Sequence, residues 1–264
     1  MKMLFIGAGK MATALATGIV KNELLPVSDL LACDISATAR QAFTAATGVR
    51  CEAPSQALVT DADVLLLAVK PQLAAAVAAE LMPIRPGALL ISICAGIGIN
   101  KLQQWFGTGN IIRVMPNTPL MVGKGASAYA LGPDADAAAA ALAGRILGAL
   151  GLARQVDEAL LDAVTALSGS GPAYVFEMAK AMAAAGEEAG LPATLSLDLT
   201  IQTIAGAAEM LARRLGTPDE LRDAVTSPNG TTAAGLAVMA QHEFRAMMRD
   251  VVTAARKRSA ELGR

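Results

Sequence analysis

Through the first 150 residues, short runs of apolar residues alternate with segments in which apolar positions recur every three or four residues. The runs Met3–Ile6, Leu30–Cys33, Asp63–Val69, Ala88–Cys94 and Ile111–Met115 read as strands buried on both faces, as in a parallel sheet. After the first run, Met11, Leu15 and Ile19 share one helical face, while Thr13, Thr17 and Lys21 share another. A strand-like Ala126–Ala130 and a helix from about Asp134 to Leu150 close this part. Strand and helix in alternation predict an α/β fold with a parallel sheet.

Beyond Val156 the pattern changes. No convincing strand follows; Ala-rich and Leu-rich helical segments are separated by Ser168-Gly169-Ser170-Gly171-Pro172, Gly190-Leu191-Pro192, Gly216-Thr217-Pro218 and Ser227-Pro228-Asn229-Gly230. Thr217-Pro218-Asp219-Glu220 carries the capping-box spacing with Pro at the first helical position, which predicts a helix start. The last long helix is expected from Ala233 to Leu262. Two domains are thus expected, residues 1–156 and residues 157–264. A hundred residues of helix with so little charge would be hard to solvate alone, and predict an obligate subunit interface.

Composition narrows the function. The chain has 264 residues, 54% hydrophobic and 17% charged, which excludes a disordered chain. Lys plus Arg is 22 against Asp plus Glu 23, a formal net charge of −1, so no global field draws a nucleic-acid backbone or an anionic membrane. Aromatics at 3% leave few platforms for base stacking. Cys33, Cys51 and Cys94 are an odd number at wide spacing, against a disulfide framework or a metal site and in favour of a reducing cytoplasm. The charge-poor stretch from Pro86 to Asn100 is broken by Gly87, Ser92, Gly96 and Gly98, so no membrane span is expected. Lys10 and the glycines near it likewise break what would be a signal-peptide core, and the chain reads as starting in a folded domain.

Chemistry gathers at the ends of the apolar runs. Gly7-Ala8-Gly9-Lys10-Met11-Ala12 joins a strand to a helix in the G-x-G-x-x-A spacing that cradles a dinucleotide pyrophosphate. Gly7 would allow the tight turn, Gly9 the approach of the phosphates, and Ala12 the packing of helix on strand; glycines serving backbone geometry alone are the plainer reading. Asp34, 25 residues beyond Gly9, stands where a carboxylate meets an adenosine ribose and repels a 2′-phosphate, or else caps the helix that carries Ala39 and Ala42. Lys70-Pro71, Ala95-Gly96-Ile97 and Pro116-Asn117-Thr118-Pro119 follow three further strands at the edge where open parallel sheets bind ligands. Val225 to Thr232 is a glycine turn opening a helix, suited to a small carboxylate or simply to a helix cap. The sole histidine, His242, reads as structural or at the surface, Lys70 as structural or cofactor-facing, and Cys94 as a small buried hydrophobe.

Six motifs in order, FIGAGKMATAL (Phe5–Leu15), LLLAVKPQ (Leu65–Gln72), ISICAGI (Ile91–Ile97), VMPNTP (Val114–Pro119), SGSGPAYVFEM (Ser168–Met178) and TSPNGTTAAGL (Thr226–Leu236), resemble those of the pyrroline-5-carboxylate reductases over nearly the whole chain. The resemblance implies a Rossmann-type dinucleotide-binding domain followed by an all-α dimerisation domain, in homodimers or rings of dimers. It also implies NAD(P)H-dependent reduction of a cyclic imine to L-proline, the last step of proline biosynthesis. It places Gly7, Ala8, Gly9, Lys10 and Met11 at the pyrophosphate and Asp34 and Ser55 by the adenosine. Ala68, Val69, Lys70, Pro71, Ala95 and Gly96 would lie along the path to the nicotinamide. Ser227, Gly230 and Thr231 resemble the residues that hold the substrate carboxylate, Thr232 the hydroxyl that meets the ring nitrogen and acts catalytically, and Glu158 and Tyr174 match positions near the pocket. Many members that use NADPH carry a small hydroxyl residue where this chain has Asp34, so NADH is expected to be favoured. No metal is implied.

Two rivals carry distinct expectations. A β-hydroxyacid dehydrogenase would need a lysine followed four residues later by Asn, and here Lys180 is followed by Ala184. A dinucleotide-binding sensor without turnover would have no use for the intact TSPNGTT turn.

Overall fold

The computed structural model describes residues 1–263. Eight strands form one sheet in the order β3-β2-β1-β4-β5-β6-β7-β8. They are β1 (Met3–Ile6), β2 (Leu30–Cys33), β3 (Arg50–Glu52), β4 (Val64–Leu67), β5 (Leu89–Ser92), β6 (Ile111–Met115), β7 (Gly125–Leu131) and β8 (Gly151–Gln155). Every neighbouring pair is parallel except β6 and β7. The chain order reverses beside β1, which leads outward to β2 on one side and has β4 on the other, and ligand crevices form at such a reversal.

The crossovers are α1 (Lys10–Lys21), α2 (Ala37–Thr47), α3 (Gln56–Asp61), α4 (Ala74–Leu81), α5 (Ile99–Phe106) and α6 (Ala137–Gly148). Two apolar layers cover the sheet. One joins Phe5, Leu15, Ile19, Phe43, Leu66 and Ile112; the other joins Leu4, Leu65, Leu67, Leu90, Leu102 and Phe106. Residues adjacent in a strand enter opposite layers, which is why these runs had to be apolar throughout. Each such Leu or Phe contributes about 1.5–3 kcal/mol relative to exposure. The single tryptophan of the chain, Trp105 on α5, packs half-buried on the second layer.

Several expectations change in detail. The strand expected over Asp63–Val69 is confined to Val64–Leu67, since the Asp63 carboxylate turns to accept the Lys2 N–H at 2.8 Å. That over Ala88–Cys94 is Leu89–Ser92, because the Cys94 N–H turns back to Ser92 Oγ. The helix after β7 starts at Ala137, where the Asp136 carboxylate accepts the Ala139 N–H at 2.8 Å.

The helical remainder comprises α7 (Leu161–Val164), a π-turn at Thr165–Gly169, α8 (Gly171–Glu188), α9 (Ala193–Ala212), α10 (Pro218–Ala224), α11 (Thr231–Gln241) and α12 (Phe244–Leu262). The capping box at Thr217 and Glu220 forms with both of its hydrogen bonds. The single helix expected over 233–262 is two helices. It stops at His242, and Glu243 turns the chain with φ 49°.

The chain separates into two compact units: Met1–Ser170 with the residues from Ala254 onward, and Gly171–Thr253. The expected boundary at residues 156 and 157 therefore lies inside the first unit, which keeps α7 and takes back the second half of α12.

Candidate active site

In the first unit the glycine turn sits against the end of β4. Gly7 has φ 100°, and a Cβ there would lie 2.6 Å from the Ala68 carbonyl oxygen and 3.1 Å from Val69, so only glycine fits. Its N–H donates to the Cys33 carbonyl at 2.8 Å. Gly9 is different: a Cβ there would meet nothing within 4 Å, and the residue caps α1 with no side chain over the helix end. The first N–H groups of α1 thus face open space at the positive end of a helix dipole. A helix start of this kind can take an anion. Ala12, fully buried, seats the helix on the sheet behind it, while Lys10 is exposed and Met11 half-buried.

Asp34 lies at the end of β2. One carboxylate oxygen accepts the Ala8 N–H at 2.9 Å, the other the Ser36 N–H at 2.8 Å. The carboxylate is thereby fixed beside the glycine turn, with the second lone pair of each oxygen left for hydroxyl donors. The cap of α2 is Ser36, whose hydroxyl accepts from the Ala39 N–H, which corrects the reading of Asp34 as that cap. Two neighbours were invisible as site residues in the sequence. Ile35 is 79% exposed and offers an apolar face next to the carboxylate. Arg40 donates to the Asp34 and Ile35 carbonyls at 2.8 and 3.0 Å, which sets a cation beside Asp34.

Ala68 and Val69 are half-buried, Lys70 is exposed, and Pro71 opens a 3-10 turn after it. Ala95 and Gly96 follow β5, the next strand of the sheet. Cys94 is buried with its thiol turned to the Val69 carbonyl, and burial raises its pKa. Ser55 precedes α3, exposed, with no capping hydrogen bond of its own. Glu158 belongs to this same unit. It accepts the Ile99 N–H at 2.7 Å and pairs with Arg113 at 3.0 Å, so it braces the start of α5.

Tyr174 and the second glycine turn belong to the other unit, where Tyr174 is half-buried on α8. Asn229 takes φ 61°, and the Gly230 N–H donates to the Ser227 carbonyl at 3.0 Å. A Cβ on Gly230 would lie 2.3 Å from Ser227 Oγ, so a side chain there would turn that hydroxyl away from the helix start. Gly230 caps α11 without a side chain over the helix end. Ser227 and Thr231 are exposed and Thr232 is half-buried, so three hydroxyl residues stand in the turn and first turn of an uncapped helix. His242 ends α11 exposed, outside this group. Among the described residues no cluster of three His, Cys, Asp or Glu side chains is poised to hold a metal ion.

The first unit has the form of an NAD(P)-binding domain, and residues 2–96 match the family model described as NADP oxidoreductase, coenzyme F420-dependent. Residues 158–262 match the model for pyrroline-5-carboxylate reductase dimerisation. The reductase of that name from Arabidopsis thaliana is 42% identical over 262 residues, 99% of this chain and 95% of its own. The chain belongs to the pyrroline-5-carboxylate reductase family. Among solved structures, the pyrroline-5-carboxylate reductase of Coxiella burnetii superposes with a TM-score of 0.92 at 33% identity, covering 100% of this chain and 98% of that one. The Plasmodium falciparum pyrroline carboxylate reductase, solved with NADP bound, gives 0.89 at 32% identity over 100% and 98%.

Within this family framework, Asn117 of the VMPNTP motif is a brace. Its side-chain amide donates to the Ser168 carbonyl at 3.0 Å and its oxygen accepts from the Ala126 N–H at 2.8 Å. Gly169 leaves room for Met115, whose Cε would be 2.4 Å from a Cβ there.

Proposed function

We propose that this protein reduces the C=N bond of 1-pyrroline-5-carboxylate with NAD(P)H to give L-proline, the last step of proline biosynthesis. The observation that carries this reading is the Ser227–Thr232 turn: an uncapped helix start with three hydroxyl residues, in a chain aligned end to end with reductases of that name. Gly7, Ala8, Gly9, Lys10 and Met11 hold the pyrophosphate, Asp34 and Ser55 the adenosine, with Ile35 as an apolar wall. Ala68, Val69, Lys70, Pro71, Ala95 and Gly96 line the way to the nicotinamide. NAD(P)H, when bound, supplies the hydride.

The chain's own task is placement. A protonated imine draws hydride to its carbon without acid help, so catalysis rests on holding donor and acceptor about 3–3.5 Å apart. Ser227, Gly230 and Thr231 take the substrate carboxylate at the start of α11. Thr232 accepts the N–H of the ring nitrogen and stabilises the amine as it forms. Tyr174, on α8, lies near that pocket.

The Asp34 carboxylate favours NADH, since a 2′-phosphate would bring like charge beside it. Arg40 offsets part of that repulsion, so NADPH is used less well and not refused. The helices of residues 157–264 form a homodimer, and dimers associate into a ring. Three free cysteines accord with a reducing cytoplasm, and among the described residues no helix is long and apolar enough to cross a membrane.

Paired assays with NADH and NADPH against pyrroline-5-carboxylate test the whole reading. Imine-dependent oxidation of both, faster per unit KM with NADH, is expected. No NAD(P)H oxidation with this imine, together with NAD(P)+ reduction by 3-hydroxy acids, would assign the chain to the β-hydroxyacid dehydrogenases instead.

A further inference from the structure

Arg113 lies in the middle of β6, almost wholly buried, among residues otherwise apolar. A cation in such a place needs partners, and the structure supplies them in series. One guanidinium nitrogen is 3.0 Å from Glu158 Oε1, and the other is 3.8 Å from Asp162 Oδ1. The same Glu158 oxygen accepts the Ile99 N–H at 2.7 Å, doing for α5 what its N-cap, Gly98, has no side chain to do. The same Asp162 oxygen accepts the Ser259 hydroxyl at 2.8 Å, which ties down the last turn of α12.

That last turn then lies against Gly96. A Cβ on Gly96, which has φ 77°, would stand 3.3 Å from the Gly263 nitrogen and from Leu262, and one on Gly263 would stand 2.5 Å from the Gly96 carbonyl oxygen. The loop Ala95–Gly98 is therefore gripped from two directions, by Glu158 at its exit and by the end of α12 across its middle. Both grips run through one buried guanidinium.

We propose that Arg113, Glu158, Asp162 and Ser259 form a positioning set that fixes the loop after β5 against the nicotinamide half of the cofactor. The proposal rests on the cofactor reading given above. None of the four touches the reacting atoms; they act through the backbone of Ala95–Gly98.

The test compares two probes on the full-length protein. NADH carries the nicotinamide and ADP-ribose does not, so a loosened 95–98 loop weakens the first and leaves the second alone. Glu158→Gln, which keeps the shape and removes the charge, and Ser259→Ala, which removes one hydrogen bond, are titrated by protein fluorescence and calorimetry. For Glu158→Gln the Kd for NADH should rise about tenfold and for Ser259→Ala several-fold, with the Kd for ADP-ribose within twofold of the parent. In turnover, for Ser259→Ala, kcat should fall while KM for the imine stays within twofold, and the isotope effect with NADH deuterated at the transferred position should increase. Arg113→Lys should retain more of the NADH affinity than Arg113→Met. Should Arg113→Met or Glu158→Gln fail to fold, Ser259→Ala and Arg113→Lys read the same contacts. Equal changes in both probes, or no change in either, would overturn the proposal, whatever the assay says of the imine. A parent protein inert toward pyrroline-5-carboxylate would count against the function alone, because the two titrations need no substrate.

Discussion

The two units solve the problem of burial in opposite ways. The first hides Phe5, Phe43, Phe106 and a full complement of leucines beneath its own helices. Over 171–253 the only buried residues among those described are Ala183, Ser196 and Thr200, while Phe176 is 67% and Ile201 53% exposed. Met178, Met182, Leu195, Leu197, Leu199, Met210, Leu211 and Met239 are exposed with them. A monomer does not leave so many large apolar side chains in water, so the second unit finishes its core with a partner copy.

The largest effect should come from spoiling that assembly. Ile201→Asp places a charge in what the partner must cover, and sedimentation is expected to show monomers at concentrations where the parent is dimeric, a loss of about 100-fold or more in affinity. An unchanged dimer would mean that α9 is not at the interface. Next comes Gly7→Val in the self-sufficient unit. With φ 100° and the Ala68 carbonyl in the way, kcat/KM is expected to fall by about 100-fold, with sedimentation unaltered.

Thr232→Ala should lower kcat/KM tens-fold, and a change below about twofold would remove the hydroxyl from the mechanism. Asp34→Ser is smaller again: the ratio of kcat/KM for NADPH over NADH should rise about tenfold, equivalent to about 1.4 kcal/mol. A ratio that stays put would mean that the Asp34 carboxylate does not set the selectivity. Smallest is Asp136→Ala, which deletes the cap of α6. It should cost about 1 kcal/mol by thermal denaturation, with kinetics and assembly untouched.

Legibility in the sequence also divides along these lines. Strands β1, β2 and β6 stand at the residues expected, because an unbroken apolar run between turn residues has few other uses in an α/β chain. The edge strands β3 and β8 have no unbroken apolar run: Arg50-Cys51-Glu52 and Gly151–Gln155 carry charge and lie partly exposed. No Gly or Pro marks the break between α11 and α12, where Glu243 adopts a left-handed conformation that residue type alone would not suggest. Arg113 passed as one letter of a strand, since only the folded chain brings Glu158 and Asp162 to it from 45 and 49 positions away. Asp34, by contrast, stood out through spacing from the glycines, and its fixed carboxylate lies at the expected end of β2.

Because Trp105 has no second tryptophan to mask it, excitation at the red edge, which spares the two tyrosines, draws emission from one indole on α5, the helix whose start Glu158 holds. Reduced dinucleotides absorb in the band where indoles emit. Illumination of the unlabelled protein therefore gives a native ruler for cofactor arrival, read without substrate and without any dye.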